Sequence, residues 1–142
     1  CTLSVQDFTI LWEASMKKEI TVVVVEDCSY AADINLHYLR RGGYDPVYTV
    51  VADRQAMNCA LEERRWDIIL SDHNMPGFSA LEALDVRNRY APDVPFLIVT
   101  EWISDDDLAE AFSKKFSYYI PKEKLQHLAA AVRRLLVKPE HD

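Results

Sequence analysis

The sequence predicts an α/β protein: one domain built on a single parallel sheet of five strands, with five helices covering both faces. Three observations carry this expectation. Short apolar, β-prone runs alternate five times with segments whose apolar residues recur at helical spacing, and the links between them are short. The first run, around Val22-Val23-Val24-Val25, is apolar at successive positions, as a parallel strand buried on both faces must be. The alternation is broken by no internal repeat and no low-complexity stretch.

Each element follows in order. Ile20 to Val25 is expected as the first strand. From about Ser29, Ala32, Leu36 and Leu39 share one helical face, and Gly42-Gly43 stops that helix. Val47 to Val51 reads as strand two, and Met57, Ala60 and Leu61 mark the second helix. Trp66 to Leu70 is strand three and runs directly into Ser71-Asp72. After a loop holding Pro76-Gly77, the third helix carries Ala80, Leu81 and Leu84. Pro95 to Thr100 is strand four, followed by Leu108, Ala111 and Phe112 at helical spacing. Tyr118 to Ile120 is a short fifth strand, and Leu125, Leu128, Val132 and Leu135 stripe the last helix. The expected domain spans residues 16–138, with 1–15 as a leader or tag-like extension and 139–142 as a tail. An output domain is expected to be absent or removed. In the leader, Leu3, Val5, Phe8, Ile10, Leu11 and Trp12 suggest a short helix docking on an apolar groove of its own domain or of a second copy. Packing of a tag is the alternative.

At 142 residues the chain is long enough for a sizeable core. Its formal charge of −7 argues against binding nucleic acid or anionic lipid through the bulk surface. Basic pairs such as Arg40-Arg41 and Arg133-Arg134 read as solvated helix faces. The cysteines, Cys1, Cys28 and Cys59, show neither metal-ligand nor CxxC spacing and suit a reducing compartment. No run reaches the apolar length of a membrane span, and Asp7 and Glu13 spoil a signal peptide. A cytoplasmic protein is expected.

In an open parallel sheet, ligands sit beyond the carboxyl ends of the strands. Strand one ends in Glu26-Asp27, strand three in Asp72, strand four in Thr100 and strand five in Lys122. Three carboxylates, a hydroxyl and an ammonium therefore share one rim. Two carboxylates about 4 Å apart repel by roughly 4 kcal/mol at an effective dielectric near 20. Such a cluster calls for a cation, and oxygen-only ligands favour a hard one such as Mg²⁺. The plainer explanation, acids capping helix N-termini, would suffice for one strand end. It explains poorly why a lysine joins acids at several.

From Met16 onward the chain resembles the receiver domains of two-component response regulators. The matching segments are V-V-V-V-E-D (Val22 to Asp27), L-S-D-H-N-M-P-G (Leu70 to Gly77), I-V-T (Ile98 to Thr100) and Y-Y-I-P-K (Tyr118 to Lys122). Each is weak alone; together, each at the end of its own strand, they are specific. The resemblance implies a doubly wound, flavodoxin-like sheet with strand order 2-1-3-4-5. It implies that Asp72 is the phosphoacceptor and that Asp27 binds Mg²⁺ directly, with Glu26 assisting through water. Asn74 would give the metal its backbone carbonyl and turn its side chain toward the entering phosphoryl group. Lys122 would bond a phosphoryl oxygen, Thr100 would donate its hydroxyl to the group once it arrives, and Tyr119 would be the aromatic that swings in behind the threonine. The implied partners are a sensor histidine kinase or phosphotransfer protein and an unidentified downstream effector, with homodimerisation open. The chain would catalyse only its own phosphorylation and dephosphorylation.

Two departures from the family pattern stand out. Pro121 precedes Lys122 where a proline usually follows the lysine, so the entry to the last helix is expected to differ. Glu101, followed by Trp102, replaces the small residue usual after the threonine and would repel a phosphodonor if it pointed inward. The alternatives fare worse. A haloacid-dehalogenase-type phosphatase needs D-x-D after strand one, and a flavodoxin needs a hydroxyl- and glycine-rich loop there; neither is present. A degenerate receiver acting only as an interaction module usually lacks an acid or the lysine, and both are retained.

Overall fold

The computed structural model describes residues 4–7 and 17–137. Its elements are β1 (Lys18–Val25), α1 (Ser29–Arg41), β2 (Tyr44–Val51), α2 (Arg54–Glu63), β3 (Ile68–Ser71), α3 (Ala80–Tyr90), β4 (Phe96–Thr100), α4 (Asp105–Ser113), β5 (Tyr118–Pro121) and α5 (Leu128–Leu136), with a 3-10 turn (Lys122–His127) ahead of α5. The strands form one parallel sheet in the order β2-β1-β3-β4-β5. This is the doubly wound architecture and strand order expected.

The apolar run of β1 explains why helices cover both faces. Side chains alternate across a strand, so Val23 and Val25 enter one core with Met57 and Leu61 of α2, Leu84 of α3 and Ala111 of α4. Val22 and Val24 enter the other with Leu36 and Leu39 of α1 and Leu128 and Val132 of α5. All four valines are fully buried. Thr21 and Asp67 tie β1 to the start of β3: Thr21 N donates to Asp67 Oδ2 and Asp67 N donates to Thr21 Oγ1, each at 2.9 Å.

Helix ends follow local chemistry. Asp53 and Ser104 cap α2 and α4 by accepting from Ala56 N and Asp107 N. Ser79 and Glu82 form a reciprocal capping box at α3. At the end of α1, Gly43 adopts φ +99°, and a Cβ on Gly42 would overlap the methyl group of Ala129 on α5. Arg87 of α3 is buried with no carboxylate partner among the described residues; it donates to Val94 O at 2.7 Å and Lys115 O at 2.6 Å, pinning the loops that lead into β4 and β5.

Some details differ from the expectation. β2 begins at Tyr44 and takes in Pro46, which an edge strand tolerates because one side needs no ladder donor. Phe112 is exposed, packed edge-to-face on Phe116 at 4.8 Å between centroids, so α4 buries Ala111 and not Phe112. Leu125 is buried but sits in the 3-10 turn, where the backbone of Lys124 leaves helical geometry. Of the leader, residues 5–7 are helical with Val5 exposed; Leu3, Phe8, Ile10, Leu11, Trp12 and the tail lie outside the described residues. No helix among the described residues is long and apolar enough to cross a membrane.

Candidate functional site

The ladder brings the strand ends together. Glu26 N donates to Val51 O and Asp72 N donates to Val25 O, both at 2.9 Å, so the residues after β1 and β3 are held side by side. Carboxylate oxygens of Glu26, Asp27 and Asp72 all lie within 4.8 Å of one another. Lys122, delivered by β5, places Nζ 3.4 Å from Glu26 Oε2 and 3.8 Å from Asp72 Oδ1. Asp72 and Glu26 are buried and Asp27 is exposed, so the cluster has a wet side and a dry side.

Glu26 carries the electrostatic tension. Burial, and then the neighbouring Asp72 charge, push its carboxyl above the usual range, against the opposing pull of Lys122 and of the Cys28 N–H that donates to it. A buried carboxyl whose ionised form is disfavoured, set beside two other carboxylates, is a donor set that fits a hard divalent cation. The acids open into a cleft of about 540 Å³ whose wall includes Tyr30, Asn35, Glu101 and Lys122. Glu101 is exposed on that wall, so it reaches the cleft from its solvent side.

Asp72 Oδ1 accepts from the backbone N–H of His73 at 2.8 Å and of Asn74 at 3.4 Å. Thr100 is fully buried at the end of β4. The Asn74 Nδ2 donates to Thr100 Oγ1 at 2.8 Å and to Trp102 O at 2.9 Å, bridging the loops after β3 and β4. Tyr119 is half-buried and packs against the α2–α3–α4 core, while Tyr118 is exposed. Reasoning from the sequence missed His73, whose buried ring places Nε2 2.8 Å from Asp107 Oδ2 on α4. A histidine directly after Asp72 was the available signal.

Residues 22–133 match the family model of the response regulator receiver domain. The chain belongs to this family. Solved receivers share the fold. The receiver domain of a sensor histidine kinase from Pseudomonas aeruginosa PAO1, which has magnesium coordinated in its active-site cleft, is 23% identical with a TM-score of 0.70, covering 83% of this chain and 98% of that one. The Vibrio cholerae chemotaxis protein CheY4 is 24% identical with a TM-score of 0.71, covering 83% and 99%. A response regulator receiver domain protein from Clostridium thermocellum is 18% identical with a TM-score of 0.72, covering 82% and 94%. No curated protein matches the sequence. As a receiver domain, the chain is a component of two-component signalling, and its acidic cluster is compatible with a metal site.

Proposed function

We propose that this receiver is a working phosphoacceptor, with Asp72 phosphorylated from a histidine kinase or phosphotransfer protein in a Mg²⁺-dependent reaction. The observation that carries the reading is the convergence of Glu26, Asp27 and Asp72 with Lys122 at the carboxyl edge of the sheet. A chain that kept the fold only as an interaction module would have no use for that buried charge.

Phosphoryl transfer needs positioning and charge neutralisation more than covalent help. An Asp72 carboxylate oxygen attacks the phosphorus; the P–N bond to the donor imidazole breaks, its electron pair stays on the ring nitrogen, and that nitrogen takes a proton. The product is an aspartyl phosphate. Lys122 is within reach to bond a phosphoryl oxygen as charge redistributes. Glu26, Asp27, Asp72 and the Asn74 backbone carbonyl would hold Mg²⁺, which supplies charge neutralisation between the two anions when bound. Hydrolysis reverses the modification: water attacks phosphorus, the P–O bond to Asp72 breaks, and inorganic phosphate leaves. No other substrate is turned over, so the domain is a switch and not an enzyme in the usual sense.

Thr100 is the switch hydroxyl in this reading. To bond a phosphoryl oxygen it turns its hydroxyl proton away from the Trp102 carbonyl, and the space behind it admits Tyr119. The reading places the receiver, residues 16–138, in the cytoplasm with a kinase upstream and a protein effector downstream. It assigns no direct contact with nucleic acid or membrane. The test is intact mass after incubation with acetyl phosphate and Mg²⁺. The protein should gain one phosphoryl group, and Asp72→Asn or metal chelation should abolish the gain. A variant that still gains the group at the wild-type rate overturns the assignment of Asp72.

A further inference from the structure

We propose that His73 is the positioning residue that couples the state of Asp72 to the first turn of α4. The inference rests on the reading of Asp72 as phosphoacceptor. Its basis is that one residue touches both ends of the path. The His73 N–H donates to Asp72 Oδ1 at 2.8 Å, and the His73 ring places Nε2 2.8 Å from Asp107 Oδ2.

Burial makes that second contact specific. The His73 side chain is 7% exposed, against 41% for Asp107. A carboxylate only accepts, so Nε2 is the donor. Nδ1 is buried with no hydrogen-bond partner, which leaves Asp107 as the one polar group among the described residues that the ring bonds. A ring shut off from water cannot exchange this partner cheaply. Asp107 sits in the first turn of α4, where its own N–H donates to the capping Ser104 Oγ at 3.1 Å. The pair therefore anchors the end of the helix that an N-cap already orders. The next residue adds a second tie, since Asn74 bonds Thr100 and the Trp102 carbonyl in the loop leading to α4.

Phosphorylation strains both ties together. Conversion of the Asp72 carboxylate to an acyl phosphate replaces a charged acceptor by a weaker, ester-like one facing the His73 N–H. Thr100 meanwhile turns its hydroxyl proton from the Trp102 carbonyl to the phosphoryl oxygens, which loosens the loop that Asn74 also holds. The loop after β3 then shifts, and through His73 and Asp107 the shift reaches α4.

Amide hydrogen exchange across residues 105–113, with and without acetyl phosphate and Mg²⁺, tests this, with the extent of phosphorylation read by intact mass on the same samples. In the wild type, phosphorylation should change exchange in the first turn of α4 several-fold. In Asp107→Ala and His73→Leu the response should collapse, while Asp107→Asn, which keeps an acceptor oxygen, restores most of it. Asp107 is only partly buried, so Asp107→Ala keeps the proposal testable should His73→Leu fail to fold. Initial phosphorylation rates should stay within about twofold in the Asp107 variants, because that side chain touches no reacting atom. Phosphorylated Asp107→Ala whose α4 responds as in the wild type would overturn the coupling and leave the proposed function standing. So would a phosphorylated wild type with no response in α4. A wild type that gains no phosphoryl group would overturn both.

Discussion

Replacing Glu26 by glutamine should stabilise the metal-free receiver near neutral pH while weakening its hold on Mg²⁺. The Glu26 side chain is 2% exposed, and its carboxylate lies within 4.8 Å of that of Asp72. At that separation and an effective dielectric near 20, the repulsion is about 3.5 kcal/mol. Lys122 at 3.4 Å returns about 5 kcal/mol by the same rule before its partial exposure and its sharing with Asp72 reduce the figure. Burial of the carboxylate then costs several kcal/mol more. The balance is unfavourable to the ionised form, because burial and Asp72 together outweigh Lys122 and the Cys28 N–H. A group whose folded value is raised holds its proton more tightly in the folded state. Its contribution to stability is therefore present in full below the unfolded carboxylate range and is lost as pH rises through the raised folded value. Glutamine removes that loss. The expected gain is about 1–2 kcal/mol near neutral pH, or roughly 3–8 °C in melting temperature for a domain of this size. Thermal melting without metal, from acid to neutral pH, should show the wild type falling relative to the variant as pH rises. Added Mg²⁺ should reverse the order, since binding to the folded state alone raises stability by mass action. A glutamine variant that melts below the wild type at neutral pH without metal would refute the charge balance.

Further outcomes follow from the same geometry. Glu101→Ala, on the wall of the cleft, should change the rate of phosphorylation or hydrolysis several-fold, equivalent to roughly 1 kcal/mol; unchanged rates in both directions would mean that this carboxylate does not act on the entering group. Arg87→Met should cost about 1–3 kcal/mol, read as a lower denaturant midpoint, because the carbonyls of Val94 and Lys115 lose a charged donor. Gly42→Ala should cost about 1–3 kcal/mol by forcing α1 away from Ala129, with a lower melting temperature as the check. Deleting residues 1–15 should alter either the sedimentation behaviour or the melting temperature if the leader docks, and neither if it does not.

Much of this molecule is written in local patterns. The five strands and the stripes Ala32-Leu36-Leu39 and Met57-Ala60-Leu61 are legible because a sheet covered on both faces demands long apolar runs and one-sided helices. The acids and Lys122 are legible because they directly follow strands, and parallel strands end on one edge. What escaped depends on tertiary context. Phe112 fits the helical period but sits where α4 has already turned its face, so Phe116 covers it instead of the core. Pro46 hid the start of β2, because only knowledge that β2 is an edge makes a proline acceptable there. Leu125 keeps its burial while the backbone around Lys124 departs from helix, and periodicity cannot see a 3-10 turn. In the site, the direction taken by the Asn74 amide and the His73 ring is decided by what the loop after β4 and the first turn of α4 offer them, and short-range spacing carries no record of that.

The placement of β1 in the middle of the sheet has a consequence for synthesis. The strand leaves the ribosome before either neighbour, yet it is apolar on both sides and finds its second partner only when Asp67, 46 residues after Thr21, has followed. Until then a valine-rich segment of high β-propensity and low charge is bare, the composition from which intermolecular zippers form. The flanking Lys17-Lys18-Glu19 and Glu26-Asp27 have the charge that gatekeeper residues use, and would act as such during that interval. The same carboxylates that gather charge at the finished site would thus keep nascent chains apart before any site exists.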